Sequence, residues 1–154
     1  MTNALLNDLL LELDAKIKSS ASISVTEIDE IISKISKFND PASIGFLLSC
    51  LRDDALYDEG MFSLIHAAES FSDELYVQSL LETLPQLVNS APAWASVVLM
   101  RVFNSDLSRK CFTQKVRHAS QETKKVLIWL ISEINKMDPL FMSKTMAPLL
   151  AAKE

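Results

Sequence analysis

Glycine is almost absent from this 154-residue chain, which has only Gly45 and Gly60. A β-rich domain of this length needs glycine at many tight turns, so its scarcity argues against hairpin-built architectures and for helices. Histidine and cysteine are equally sparse, with two of each. The spacing of His66 and His118 suggests no Ser-His-Asp or Cys-His arrangement, and no glycine-rich loop exists to cradle a phosphate. Cys50 and Cys111 lie in apolar, helical runs and read as buried thiols, and nothing requires a disulfide between them. No apolar run reaches membrane-spanning length, and the first residues lack a basic stretch ahead of an apolar one. The expected location is therefore the cytoplasm, with no membrane partner.

What the chain does have is apolar bulk. Hydrophobic residues make up 49% and charged residues 23%, enough to bury a core over a single domain spanning 1–154. The charge is uneven. Residues 1–70 hold 12 acids against 5 bases (net −7), and residues 71–154 hold 8 against 10 (net +2). An acidic front half disfavours nucleic acid as a ligand and suits a basic partner.

The apolar spacing predicts a succession of amphipathic helices. Leu5, Leu6, Leu9, Leu10, Leu13 and Ile17 share one face of a first helix within 1–20. A polar loop from Ser19 to Ser24 follows, then a second helix with Ile28, Ile31, Ile32 and Ile35 inward. Asp40-Pro41 signals the start of a third. The run from Arg52 to Asp58 breaks the pattern before a fourth helix beginning near Gly60. Later starts are expected at Ser72, Ser90, Ser105, Ser120 and Asp138, with Pro85 kinking or ending the fifth helix early and residues 145–154 forming a frayed tail. These starts recur every 15 to 18 residues. Helices of that length joined by short turns pack antiparallel. The expectation is an all-α fold of eight or nine short helices, either a HEAT-like α-solenoid or a compact bundle. No residue-level repeat decides between them.

The segment Arg52 to Glu69 stands out. Asp53, Asp54, Asp58 and Glu59 place four acids within seven residues, with Tyr57 and Phe62 beside them. Acids steer the encounter with a basic protein, and aromatic rings supply desolvated contact area. The alternative is a solvated loop with both rings turned into the core. His66 and Glu69 share a helix face with Glu59 nearby and could hold a cation, but a polar knot tying the loop to the helix explains them more simply. No metal, cofactor or small-molecule ligand is expected. The bases Arg101, Arg109, Lys110, Lys115, Arg117, Lys124 and Lys125 are spread over three helices and read as a solvated face. His118 beside Arg117 suits a helix C-terminus. Trp94 and Trp129 read as core residues; an indole on a concave surface would instead be a binding anchor.

Asp58 to Phe71 (DEGMFSLIHAAESF), Tyr76 to Leu87 (YVQSLLETLPQL), Ala93-Trp94-Ala95 and Arg101 to Ser105 (RVFNS) resemble the immunity protein 30 family of bacterial polymorphic toxin systems. The resemblance covers roughly residues 45 to 140, and its most specific phrase is EGMFSLIHAAE. It implies an all-α, non-catalytic protein that binds a cognate toxin domain and blocks its active site. A basic nuclease toxin would fit the acidic surface. The family motif falls on Glu59, Gly60, Phe62, His66 and Glu69, where Gly60 would allow a tight turn into the helix. The toxin contacts expected here are Asp53, Asp54, Tyr57, Asp58 and Glu59. A general helical-repeat scaffold for a cellular protein or peptide is the alternative.

Overall fold

The computed structural model describes residues 3–19 and 23–154. Half of the expected Ser19–Ser24 loop, residues 20–22, thus lies outside the described residues. The elements are α1 (Ala4–Ser19), α2 (Val25–Ser36), α3 (Ala42–Ser49), α4 (Asp58–Glu69), α5 (Asp73–Ser90), α6 (Pro92–Asn104), α7 (Asp106–Val116), α8 (Gln121–Met137), a 3-10 turn (Pro139–Phe141) and α9 (Met142–Ala152). The fold is all-α, as the glycine scarcity and apolar spacing require, and the described residues contain no strand.

Local chemistry sets most of the boundaries. Ser24, Ser72, Ser105 and Ser120 each accept, through the side-chain oxygen, the N–H three residues on, satisfying one of the orphan donors of a helix start. The Asp40 carboxylate accepts the N–H of Ala42 at 2.9 Å, with Pro41 already in helical conformation. After α2 the chain reverses through Asn39 at φ 47°, the left-handed region that asparagine tolerates.

Every extensive contact among the described helices joins elements at most three apart along the chain. The odd helices α3, α5, α7 and α9 follow one another in one row. In the other row α2 packs on α4 and α6 on α8. Trp94 of α6 meets Phe62 of α4 edge-on, with ring centroids 5.1 Å apart. This is the neighbour pattern of stacked helix pairs. One apolar cluster runs through the stack, from Leu6 in α1 to Ala152 in α9.

Three expectations need correction. Pro85 does not end α5, which continues to Ser90. A proline has no N–H for the carbonyl four residues back, here that of Leu81. That carbonyl instead accepts the buried Thr123 hydroxyl of α8 at 3.2 Å. Ser90 does not start α6: it closes α5, its hydroxyl donating to the Gln86 carbonyl. Nor do the last residues fray. Pro148 lies inside α9, Ala151 and Ala152 are buried, and Glu154 is held by Arg117 at its carboxylate and by Lys124 at its carbonyl.

Candidate functional site

The segment between α3 and α4 is anchored at both ends and open in the middle. Arg52 donates to the carbonyl of Ile17, in the last turn of α1, giving an orphan C-terminal carbonyl a partner. The same guanidinium grips both oxygens of Asp54, at 2.5 and 2.7 Å. Its hydrogen bonds hold the Asp54 carboxyl below the usual carboxylate range. Asp53 points the other way. Its two oxygens accept the N–H groups of Ala93 and Trp94 at 2.9 and 3.1 Å, capping α6 from across the fold. The start signal missing from Ser90 is therefore supplied by Asp53, which acts as a structural cap.

Leu56 and Tyr57 form the crest, 62% and 54% exposed. Asp58 and Glu59 follow in the exposed first turn of α4, where negative charge suits the positive end of the helix. Asp54, Tyr57, Asp58 and Glu59 are thus all exposed along this one short segment, the α3–α4 ridge, and Leu56 is exposed with them. Tyr57 is not turned into the core. Phe62 is: it is half-buried and packs on Trp94.

Of the remaining motif residues, Gly60 and Glu69 join helices and His66 does not. Gly60 is buried within α4 and has no positive φ. A Cβ there would stand 2.6 Å from Ile28 Cδ1. The residue is small because α2 passes close by, which corrects its expected role as a tight-turn residue. His66 is exposed, its ring 6.3 Å from that of Phe62. Glu69 is taken by Arg101, whose Nε and Nη2 donate to its two oxygens at 2.9 and 2.8 Å. Glu59, His66 and Glu69 therefore do not converge on a cation, and no three His, Cys, Asp or Glu side chains among the described residues could hold one.

The basic run is largely engaged. Arg101 pairs with Glu69, Arg109 with Asp106, Lys115 with Glu74 and Arg117 with Glu154, and Lys124 is buried. Both cysteines are free. Burial pushes the Cys50 thiol up to about 12, and Cys111 is also raised by burial. Neither is poised as a nucleophile.

Residues 15–112 match the model of the family described as Immunity protein 30, well over half of the chain. The chain belongs to the immunity protein 30 family. The match begins in the last residues of α1 and ends at Phe112 in α7, so it starts earlier and stops sooner than the expected 45 to 140. No curated protein and no solved structure matches the chain. Membership in an immunity family points to a protein toxin as partner. Among the described residues no helix is long and apolar enough to cross a membrane.

Sequence reasoning missed two surface features. Leu56 carries no signal in a stretch dominated by acids. Trp129, assigned to the core, is 48% exposed and lines an open groove of about 840 Å³ between α5 and α8. Its neighbours Leu127, Leu130, Ile131 and Ile134 fill the buried face of α8, which already satisfies that helix's apolar stripe.

Proposed function

We propose that this immunity protein neutralises its cognate toxin without catalysis, by seating the α3–α4 ridge over the toxin's active site or substrate entry. The observation that carries this reading is the exposure of Leu56 and Tyr57 directly ahead of Asp58 and Glu59, carboxylates with no basic partner among the described residues, and after Asp54, which Arg52 pairs. Asp58 and Glu59 form no ion pair among the described residues. An apolar and aromatic crest supplies contact area, and surrounding negative charge steers a basic partner. A nuclease toxin, whose site receives phosphates, is the class that such a ridge suits best.

Stopped-flow association with the toxin domain encoded beside the gene tests the reading. Asp54→Asn with Asp58→Asn should slow association by about tenfold at low salt and flatten its salt dependence. Tyr57→Ala should speed dissociation. Ser72→Ala is the control: it removes the α5 cap at about 1 kcal/mol of stability, changes no charge and should leave the association rate of the folded protein unchanged. Unaltered kinetics in both the double variant and Tyr57→Ala would remove the ridge from the interface.

A further inference from the structure

The groove between α5 and α8 has a composition of its own. Trp129 stands on one wall with Val126, facing Pro85 and Val88 of α5. An indole left half in water on a concave surface is an anchor waiting for an apolar partner. Gln86 and Asn89 are exposed along the same groove. A carboxamide offers both a donor and an acceptor. That suits an extended backbone, whose N–H and C=O groups are free, and not a helix, whose groups are already paired.

The groove also has length and charge. It adjoins a second hollow of about 380 Å³, and Glu82, Pro85 and Glu122 line both. Glu82 and Glu122 lie across from each other on α5 and α8, both exposed, and neither forms an ion pair among the described residues. Lys125 is the one base in the larger hollow, and Lys115, already paired with Glu74, lines the smaller one with His118, so the two carboxylates shared by both hollows outnumber the single unpaired lysine. A cationic side chain entering between the two carboxylates would be matched from both sides.

We propose that this groove seats an extended segment of the toxin, with an apolar side chain on Trp129 and a lysine or arginine between Glu82 and Glu122. This rests on the toxin-binding reading above and gives the protein a second point of contact, on a different pair of helices from the α3–α4 ridge. Two linked contacts gain from effective concentration without either being strong alone.

The test is calorimetric titration of the adjacently encoded toxin domain into four proteins: wild type, Trp129→Ala, Glu82→Gln with Glu122→Gln, and Asp54→Asn with Asp58→Asn. Fluorine NMR of fluorotryptophan-labelled protein reads Trp129 directly, its resonance assigned by Trp129→Tyr. The expected result is at least about tenfold weaker binding for Trp129→Ala, a smaller loss for the double glutamate variant, near wild-type binding for Trp129→Tyr and a shifted Trp129 resonance in the complex. Unchanged helical content by circular dichroism shows that the variants fold. If the toxin binds wild type and both groove variants equally, the Trp129 resonance does not move and the ridge variant alone loses binding, the groove inference falls and the ridge reading stands. If the groove variants lose binding while the ridge variant does not, the groove stands and the ridge reading falls. No binding of the toxin by wild type overturns both, and a wild-type dimer that Trp129→Ala dissociates would assign the groove to a second copy of the chain.

Discussion

A Cβ placed on Gly60 would meet Ile28 Cδ1 at 2.6 Å, and one placed on Gly45 would meet Thr83 Oγ1 at 3.0 Å. Both glycines of the chain thus sit where two helices press together, α4 on α2 and α3 on α5. Ile28 is 1% exposed, so its terminal methyl has little room to swing away. Gly60→Ala gains up to about 1 kcal/mol of helix propensity and meets an overpacking cost of about 1–3 kcal/mol, giving a net loss. Ile28→Val deletes the clashing methyl. Alone it should destabilise by about 0.5–1.5 kcal/mol; on the Gly60→Ala background it should cost nothing or restore stability. Urea unfolding of the four proteins measures the coupling, and strictly additive effects would contradict the packing account. The residue type was legible in the sequence, but the reason was not. A glycine before a helix reads as a turn, because nothing in the neighbouring residues announces a second helix passing beside it. Asp53 misleads in the same way: it sits among surface acids, while the N–H groups it caps belong to a helix 40 residues on.

At the scale of the element, what is local was readable. Ser72, Ser105 and Ser120 bond to N–H groups three residues away, so the capping signal is complete within a few letters. Pro85 is the counterexample. Its effect on α5 depends on a hydroxyl from α8, where Ser120 donates to Thr123 Oγ1 at 3.0 Å and Thr123 donates to the Leu81 carbonyl. Thr123→Val keeps the shape and removes that donor, leaving a buried carbonyl without a partner. The expected loss is about 1–3 kcal/mol, read as a lowered unfolding midpoint. Thr123→Ser, which keeps the hydroxyl, should lose less than the valine variant. Equal stability of wild type and Thr123→Val would mean that α5 tolerates its proline for another reason. The tail follows the same logic: Lys153-Glu154 looks free in the sequence, and only the stack brings Arg117 and Lys124 within reach of it.

Across the whole molecule, the front-heavy acidity becomes a surface property through pairing. Five of the ten bases of the second half are paired with acids, Glu69 and Glu74 across helices among them, while Asp58 and Glu59 stay exposed in the first turn of α4. The all-α succession of short helices was legible because its period is written in regular start signals and short loops, whereas stack and closed bundle share that pattern and were not told apart. The proposed binding surfaces were legible only in part. The acid cluster shows in the letters, but which acid is free and which is a cap depends on where α6 and Arg52 stand. Trp129 looks like core because its helix is apolar, and only the breadth of the buried stripe on α8 leaves it outside. The central claim is that this member of an immunity family works by holding a toxin in a stable complex. The most direct test is co-expression with the toxin domain encoded beside it, scored for growth and then for co-purification. Restored growth with a stable stoichiometric complex is the expected result; a toxic neighbour that this protein neither restrains nor binds would contradict the account.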